Sequence, residues 1–384
     1  MVKKKICLVS GTPPSFLGGM SLYQRNLINY AKKKKLSLKF SWIYPGRKNK
    51  KYSINGINCI EIKSYNVPFL KEFDFGRKAR KYLRKNYFDF INTHSNWGYC
   101  LKKYEKINKQ KIIHTFHGVA VPYIKIQLKR FGILKQLALS PLILASYILE
   151  KPSFKKADKI ICVSEKVKEE LKKIYFERKG VKVIRTGVNI NEFKKLNKKK
   201  SRKNLKLNVK GIYGLYSGRG GYWNKGLDRA INLSKEIYNL NKNYRLVVIG
   251  ANKNKCRKYL NFPFIEYRGL VERKELPKYY SAVDFFFSLS RYEGGAPTLV
   301  VSEAMASGCL VVCAKSAEQE IIKNNENGLI IKDNFKEAAK KINQILENKE
   351  QKKKIIKKSK ETIKKFSLEK WGKEYLEVLF DEKK

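Results

Sequence analysis

The sequence has few acidic residues: 33 Asp and Glu stand against 85 Lys and Arg, which leaves a formal net charge of +52. Such a surplus favours anionic partners, namely nucleic acid, a membrane surface or phosphorylated small molecules, or it reflects no more than a lysine-rich composition. The cations are spread along the chain without a single basic arm, and the motifs lie at strand ends, whereas binding to single-stranded nucleic acid requires clustered cations with interleaved aromatic residues. We therefore expect no nucleic-acid partner.

Cysteine is scarce, and its spacing argues against a metal site. The seven cysteines form no CxxC pair and no cluster of the kind that zinc needs. They fit small apolar core residues in a reducing compartment, which predicts a cytoplasmic protein. A DxD motif, which would hold a divalent cation, and the GxxxxGK[ST] motif of P-loop ATPases are missing as well. We predict neither a metal nor a cofactor.

Long apolar runs are missing too. The apolar run in the opening MVKKKICLVSG is too short for a signal peptide, and no stretch is predicted to span a membrane. What the sequence does have is length. Its 384 residues, of which 43% are hydrophobic, exceed the usual size of one domain and suffice for two cores.

Short strands alternate with helices in both halves of the chain. This pattern predicts an α/β fold with two doubly wound, parallel-sheet (Rossmann-like) domains that face one cleft. Ligands of such sheets bind beyond the carboxyl ends of the strands. The lysine-dense residues 194–210 have little apolar periodicity and are predicted to link the domains. The predicted strands are 5–10, 40–44, 90–93, 112–117, 159–163 and 181–185 in the first half, and 211–217, 244–249, 264–268, 285–289, 310–314 and 328–331 in the second.

The loop GTPPSFLGG follows the first strand and precedes a helix predicted at residues 20–34. Gly18 and Gly19 allow the backbone to approach a ligand closely, and the helix N-terminus behind them favours an anion. The alternative is an ordinary glycine-rich turn.

All three histidines lie within residues 94–117. His117 ends an apolar strand, and His94 lies at the end of another strand in the same way. A histidine at a strand end can donate to a phosphate or a sugar hydroxyl near neutral pH. We predict a functional role for His117, whereas the spacing of His114 fits a core histidine.

The loop SGRGGYWNKG follows a strand of the second half and precedes a helix. Arg219 and Lys225 flank its glycine-rich turn. A guanidinium and an ammonium beside backbone N–H groups form a cradle for a diphosphate. The alternative is two ordinary surface cations.

Residues 294–308, GGAPTLVVSEAMASG, are predicted to contain a short buried helix. Pro297 suits the first helical position, and Gly308 suits the residue past the end. The N-terminus of this helix, with Gly294 and Gly295 before it, would face an anion.

Two carboxylates belong to the same region. Glu303 lies two turns into the predicted helix among Ala and Met residues. A buried carboxylate needs hydrogen-bond donors, and sugar hydroxyls are good ones. Glu293 precedes the two glycines and places a second carboxylate at the same strand end.

In this order the motifs resemble those of the family 4 glycosyltransferases, which are retaining nucleotide-sugar enzymes of the GT-B fold. The resemblance extends over residues 1–380. It rests on PPSFLGG, HTFHG, ADKIICVSEKVKEEL, VIRTGVN, SGRGGYWNKGLD, YRGLVERKELPKYYSAVDFFFSLSRYEGG, SEAMASG and ENGLIIK.

The resemblance implies a role at the donor for each candidate residue. Gly18 and Gly19 would lie against the donor diphosphate through their backbone N–H groups. His117 would lie beside the transferred sugar. Arg219 and Lys225 would neutralise the leaving diphosphate, so both are expected to bind the donor and to act in catalysis.

The two glutamates would match the family's paired-glutamate motif. Glu303 would hold the ribose hydroxyls of the nucleotide, and Glu293 would act on the donor sugar. Nine residues separate these glutamates, whereas the family has seven. This leaves two alternatives for the sugar, which either Glu293 or the backbone around Gly294 and Gly295 would hold.

The family implies the transfer of a hexosyl group from a nucleotide-diphosphate sugar to a glycan or lipid-linked acceptor. Transfer would retain the anomeric configuration, need no metal, and serve the synthesis of a cell-surface polysaccharide or glycolipid. UDP, GDP and ADP remain open as the nucleotide. The alternatives are a nucleotide-sugar epimerase or phosphorylase on the same scaffold, and a non-enzymatic polyanion-binding protein.

The resemblance also implies the domain boundaries. Residues 1–190 would form an acceptor-side domain, residues 191–365 a nucleotide-sugar-binding domain, and residues 366–384 a C-terminal helix that crosses back onto the first domain. Residues 124–149 are apolar with Lys and Arg interleaved. They predict either a peripheral contact with the cytoplasmic face of an anionic membrane or a helix pair packed on the first domain.

Overall fold

The computed structural model describes residues 3–218, 222–251, 256, 259–317 and 319–380. The chain divides into two compact units, each built on one sheet. The first unit comprises Met1–Arg185 and Trp371–Lys384, and the second comprises Thr186–Lys370. Each predicted strand is confirmed, with its ends shifted by at most two residues.

The first unit contains an eight-stranded sheet. Its strands are β1 (Lys4–Val9), β2 (Leu38–Gly46), β3 (Lys50–Ile54), β4 (Ile57–Lys63), β5 (Phe90–His94), β6 (Lys111–Phe116), β7 (Lys159–Cys162) and β8 (Val181–Val183). Its helices are α1 (Gly19–Lys33), α2 (Leu70–Lys85), α3 (Ala120–Leu128), α4 (Ile133–Leu139), α5 (Pro141–Lys156) and α6 (Glu165–Tyr175). The strand order is β3-β4-β2-β1-β5-β6-β7-β8.

The edge hairpin of β3 and β4 is not among the predicted strands, and it is the antiparallel pair of a sheet whose other neighbours run parallel. Its two-residue turn is Asn55–Gly56, with φ of 50° and 74°. Positive φ at both central residues is what a type I′ turn requires, and Asn-Gly is its strongest sequence signal.

The second unit contains a six-stranded parallel sheet. Its strands are β9 (Ile212–Ser217), β10 (Tyr244–Ile249), β11 (Ile265–Gly269), β12 (Phe285–Ser288), β13 (Leu310–Ala314) and β14 (Leu329–Ile331), in the order β11-β10-β9-β12-β13-β14. The described helices are α7 (Lys198–Asn204), α8 (Leu227–Leu240), α9 (Leu276–Ala282), α10 (Leu299–Ala306), α11 (Phe335–Glu347), α12 (Lys349–Lys364) and α13 (Leu368–Phe380), the last of which continues into the first unit. Leu246 and Val247, neighbours on β10, belong to two different buried clusters, so this sheet is covered on both faces.

The units divide the chain near the predicted boundaries but not at them. The first unit ends at Arg185 rather than at residue 190, and it resumes at Trp371 rather than at residue 366. Within this unit, the buried hydroxyl of Tyr375 on α13 accepts a hydrogen bond from Asn92 on β5. The last helix therefore completes the core of the first unit.

The prediction that residues 194–210 form a linker is wrong. They include α7, whose buried Arg202 donates to the Asp284 carboxylate at 2.9 Å. Lys198 and Lys352 lie 2.5 and 3.0 Å from the same carboxylate. Burial alone would raise the pKa of Asp284, but Lys352 and Lys198 lower it to about 2. This segment packs through buried ion pairs, which apolar periodicity does not reveal.

Residues 124–149 lie in α3, α4 and α5, and the predicted packed helix pair is wrong for α4. None of the seven residues of α4, all of which the structure describes, is buried. By length and composition alone, the stretch Ile133–Lys156 is apolar enough to cross a membrane, and 17% of its most apolar window is buried. Its C-terminal end is different, because Leu149, Glu150 and Phe154 are buried in the first unit.

Candidate functional site

Each sheet has a point at which strand addition switches sides. In the first sheet β2, β4 and β3 lie on one side of β1, and β5, β6, β7 and β8 lie on the other. In the second sheet β10 and β11 lie on one side of β9, and β12, β13 and β14 lie on the other. Ligands of doubly wound sheets bind at such switch points, beyond the carboxyl ends of the strands. The candidate residues follow β1 and β6 in the first unit and β9 and β12 in the second.

The loop after β1 leads into α1 through Gly18 and Gly19. Gly19 is the first residue of α1, and a Cβ added there would meet no described atom within 4 Å. Arg25 holds the loop in place, since its guanidinium donates to the carbonyl oxygens of Pro14 and Phe16. The helix N-terminus is therefore fixed, with open space beside Gly19.

His117 forms a hydrogen-bonded pair with His94. His94 Nδ1 and His117 Nε2 are 3.0 Å apart, and the two rings stack with their centroids 5.3 Å apart. Burial lowers the pKa of His117 to about 4. Burial, and then the neighbouring His117 and His114, lower the pKa of His94 well below its usual value. Both rings are therefore neutral at pH 7, and one proton lies between them.

The surroundings of His94 select which ring donates that proton. Its Nε2 is buried, and no described atom lies within hydrogen-bond distance of it. A proton on Nε2 would be a buried donor without an acceptor, which is costly. His94 therefore donates from Nδ1 to His117 Nε2, and His117 carries its own proton on Nδ1. His117 is in this way set up as a neutral donor.

His114 is a core residue, as predicted. Its Nδ1 lies 2.6 Å from the Thr93 hydroxyl, and its buried ring packs edge-on against Phe116. Burial lowers the pKa of His114 to about 3, so this ring is also neutral.

Lys225 and Glu293 meet at the switch point of the second sheet. Lys225 Nζ lies 2.7 Å from Glu293 Oε1, with the lysine side chain 42% exposed and the glutamate side chain 12% exposed. Arg219, the other predicted cation of this loop, lies outside the described residues. The loop passes so close to β12 that a Cβ added to Gly226 would lie 2.0 Å from the Leu289 carbonyl oxygen. Only glycine fits at this position, because any side chain would collide with the backbone of Leu289.

An ion pair that the sequence did not predict braces the same loops. Arg291, two residues before Glu293, contacts both carboxylate oxygens of Asp228 on α8 at 2.9 and 2.5 Å. Its guanidinium also lies 4.3 Å from the centroid of the Trp223 ring. A two-pronged pair of this kind fixes direction as well as distance. The position of Lys225 relative to Glu293 is therefore set by its neighbours.

Gly294 and Gly295 lead from β12 towards α10, with φ of 62° and 73°. The N-terminus of α10 is anchored by Gln319, whose side-chain oxygen accepts from the backbone N–H of Thr298 at 2.9 Å. The helix N-terminus thus follows Glu293, the partner of Lys225, by a few residues in the chain, and its positive dipole end would stabilise an anion.

The predicted position of Pro297 is wrong, and that of Gly308 is confirmed. α10 begins at Leu299, and Thr298 is its N-cap with ψ of 148°. Pro297 therefore lies outside the helix, because the bond to Gln319 keeps Thr298 extended. Gly308 follows the C-cap with φ of 69°.

Glu303 lies buried in the second turn of α10, and its hydrogen-bond donors belong to the protein. Arg273 donates to Oε1 at 2.6 Å and the Tyr280 hydroxyl donates to Oε2 at 3.3 Å, while the Glu303 side chain is 2% exposed. Arg273 also pairs with Glu192 at 3.0 Å and lies over the Phe193 ring. Because Arg273 and Tyr280 already donate to the buried carboxylate, its burial is no argument for a sugar ligand.

Glu303 titrates near neutral pH. Burial raises its pKa to about 7, against the opposing effects of Arg273 and Tyr280. Glu192, on the far side of Arg273, adds to the increase. Any contact that needs the Glu303 anion is therefore sensitive to pH.

In the described part of the chain, no group of three or more His, Cys, Asp or Glu side chains could hold a metal ion. The prediction missed Asp228, Arg273 and Arg291, and it did not assign a role to His94. For His94 a signal was available, since it ends a strand next to that of His117. No sequence signal pairs Arg273 with Glu303, because their contact depends on side-chain packing.

Two family profiles match the chain, one in each half. The profile described as Glycosyltransferase Family 4 matches residues 17–192, and the profile described as Glycosyl transferases group 1 matches residues 197–362. An uncharacterized glycosyltransferase of Methanocaldococcus jannaschii is 26% identical over 338 residues, which cover 83% of this chain and 81% of the relative.

Solved structures share the architecture. The sucrose-phosphate synthase of Thermosynechococcus elongatus matches with a TM-score of 0.77 and 19% identity over 98% of both chains. Anabaena HepE, in complex with UDP-glucose, matches with a TM-score of 0.71 and 17% identity over 98% of this chain and 100% of that one. At these identities the likeness concerns the fold, and that fold is GT-B, as predicted.

Proposed function

Since the chain belongs to the group 1 glycosyltransferases of family 4, we propose that it transfers a hexosyl group from a nucleotide-diphosphate sugar to a glycan or lipid-linked acceptor, with retention at the anomeric carbon. The observation that carries this proposal is the 2.7 Å pair of Lys225 and Glu293 at the switch point of the second sheet, ahead of the N-terminus of α10. The UDP-glucose bound to the similar HepE supports a donor of this type.

In this reaction the bond between the anomeric carbon and the β-phosphate oxygen breaks. A bond to the acceptor oxygen forms on the same face of the sugar, and the proton of the acceptor hydroxyl passes to an oxygen of the departing diphosphate. Negative charge develops on the departing diphosphate. We assign Lys225, Arg219 and the N-terminal N–H groups of α10 to stabilise that charge. The left-handed backbone at Gly294 and Gly295 allows the donor to approach this end of the helix.

Glu293 is proposed to accept hydrogen bonds from hydroxyls of the donor sugar. A carboxylate offers about four lone-pair sites, so its bond to Lys225 leaves capacity for a ligand. The same bond fixes the ammonium group. In this arrangement one side chain orients both the sugar and the cation that meets its leaving group.

The first unit is proposed to act through His117, Gly18 and Gly19. His117 would donate from Nδ1 to the transferred sugar, and His94 would position it by fixing its tautomer. Gly18 and Gly19 would place backbone N–H groups against the diphosphate. All seven cysteines lie in the described part of the chain, where they are buried and form no disulfide, which supports our proposal that the enzyme acts in the reducing cytoplasm.

A screen of UDP-, GDP- and ADP-sugars tests the proposed reaction. One of them is expected to raise the unfolding temperature, because a ligand at 100 times its dissociation constant adds about 2.7 kcal/mol of stability. With that donor, product should form only when an acceptor is present, and NMR should show the donor's anomeric configuration. Conversion of the donor to an epimer, or phosphorolysis of a glycoside, would instead identify an epimerase or a phosphorylase.

We expect full activity in excess EDTA. The motivation is the missing DxD motif, since Lys225 and Arg219 would supply the positive charge that a divalent cation supplies in other enzymes. The rate should be the same in EDTA, in Mg²⁺ and in Mn²⁺ after extensive dialysis. A rate that collapses in EDTA and returns with either metal would contradict the assignment of the charge to these side chains.

Glu303→Gln is expected to weaken the binding of the nucleoside diphosphate by about 1.5–3 kcal/mol if the ribose hydroxyls donate to this carboxylate. Because burial raises the pKa of Glu303 to about 7, the affinity of the unmodified enzyme should increase as the pH rises through 7 and the anion forms. The variant should lack that increase. Titration calorimetry at several pH values measures both effects.

Glu293→Gln is the matched comparison for this experiment. It should leave the affinity for the free diphosphate unchanged, because the amide oxygen can still accept from Lys225. It should lower turnover, because Glu293 is assigned to the sugar. Unchanged diphosphate affinity in Glu303→Gln, together with a lower unfolding temperature, would make Glu303 a structural partner of Arg273 and would exclude the ribose contact.

A further inference from the structure

The helices α4 and α5 present an apolar surface that no described residue covers. Ile133, Leu134 and Leu137 on α4 are 74%, 80% and 66% exposed, and Leu144 and Ile148 on α5 are 61% and 38% exposed. We call these five residues the apolar face. A single isolated Leu on a surface needs no explanation, but several on consecutive helices mark an interaction surface. A seven-residue helix without buried side chains also needs a partner to be stable.

Positive charge flanks the apolar face in the sequence, and the stretch of chain that carries it has no acidic residue. Between Glu105 and Glu150 the sequence has no Asp or Glu. Arg130 and Lys135 are exposed on either side of Phe131, with the guanidinium 4.4 Å and the ammonium 4.7 Å from its ring centroid. Apolar residues flanked by cations and an aromatic ring are typical of helices that lie in the interface of an anionic bilayer.

The C-terminal end of α5 shows whether the stretch Ile133–Lys156 can cross a membrane or can only lie on it. The buried Glu150 carboxylate accepts from the backbone N–H of Ala120 and from the Tyr175 hydroxyl, both at 3.1 Å. The ring of Phe154 stacks on that of Tyr175, with centroids 5.0 Å apart. The last turns of α5 thus belong to the core of the first unit. Although Ile133–Lys156 is long enough to span a bilayer, it can only lie along its surface.

We propose that the apolar face docks on the surface of an anionic lipid bilayer. Leu134 and Leu137 would insert at the boundary between headgroups and acyl chains, and Arg130 and Lys135 would contact the anionic headgroups. A second copy of this chain fits less well as the occupant, because a net charge of +52 on each copy opposes self-association. The proposal does not depend on the transferase activity. If both hold, the acceptor belongs to the lipid-linked class.

Vesicle flotation tests this surface. The full-length protein is expected to float with vesicles of phosphatidylcholine and phosphatidylglycerol and to stay behind with vesicles of phosphatidylcholine alone. Leu134→Glu/Leu137→Glu should bind the anionic vesicles on the order of 100-fold more weakly, since two apolar side chains no longer insert and two anions face the headgroups. The matched control is Leu240→Glu/Leu270→Glu, which changes two leucines of the second unit that are 51% and 70% exposed and should bind like the unmodified protein.

Two further measurements test the proposal without the leucine-to-glutamate substitutions. Leu134→Trp should show a blue-shifted tryptophan emission on anionic vesicles, since the indole enters the interface. Arg130→Gln/Lys135→Gln should weaken binding at low salt and have less effect at high salt. Absence of flotation with anionic vesicles would overturn the proposal. So would a dimer in analytical ultracentrifugation that Leu134→Glu/Leu137→Glu converts to monomer, because the apolar face would then be an interface between copies.

Discussion

Lys225→Ala is expected to lower the rate of sugar transfer by on the order of 10²-fold or more. The change removes the ammonium that would meet the charge on the departing diphosphate, a contact needed more in the transition state than in the bound donor. kcat and kcat/KM should therefore fall together. The fold should tolerate the change, because the lysine is partly exposed and the freed Glu293 carboxylate still reaches solvent. Steady-state kinetics and thermal unfolding of the same preparation separate the two effects.

Lys235→Ala is the matched control for this variant, because it removes an exposed lysine of α8, the helix that follows Lys225. It should leave kcat and KM unchanged. Lys225→Arg keeps the positive charge and should retain more activity than Lys225→Ala. A Lys225→Ala enzyme with near-normal kcat would show that the diphosphate charge is met elsewhere.

Arg273→Ala is expected to destabilise the protein by about 3 kcal/mol at pH 8, since it leaves the buried Glu303 carboxylate without its strongest donor. Glu192 loses the same partner, but it is more exposed and can be hydrated. The Tyr280 hydroxyl remains as a donor to Glu303 at a longer distance. Equilibrium unfolding in urea measures the loss.

The loss of stability in Arg273→Ala should be smaller at lower pH, because Glu303 then becomes protonated. Its pKa in the folded state lies above that in the unfolded chain because of burial, and removing Arg273 raises it further. The folded variant therefore binds a proton more readily than the unfolded one, and its stability increases as the pH falls from 8 to 5. Arg273→Ala/Glu303→Gln should recover much of the stability at pH 8, because no buried charge remains. Equal losses at both pH values would mean that Arg273 acts by packing on Phe193.

The strands could be predicted because a parallel sheet buries both faces of its strands. Five of the six residues 244–249 are buried, with Arg245 half-buried between them, and the prediction matches β10 at both ends. The hairpin of β3 and β4 lies at the sheet edge, where exposed lysines interrupt the apolar pattern. For α4, the sequence shows an apolar composition with cations interleaved. This composition cannot tell whether protein or another phase covers the apolar residues.

The site could be predicted where topology alone brings residues together. Lys225 and Glu293 are 68 positions apart, yet they meet because β9 and β12 are neighbours and their loops leave the same edge. The contact between Arg273 and Glu303 depends instead on how a short 3₁₀ segment packs against α10. That packing is set by side chains, such as Phe193, that no motif singles out.

The place of Tyr375 in the first unit has a consequence for the order of folding during synthesis. The second unit, Thr186–Lys370, is continuous in sequence, whereas the first unit needs Trp371 and Tyr375 to complete its core. The ribosome therefore releases every residue of the second unit before Asn92 meets its partner. The unit that is translated first is the one that is finished last. A chain that stops before Trp371 would contain a complete second unit and a first unit whose core is still open.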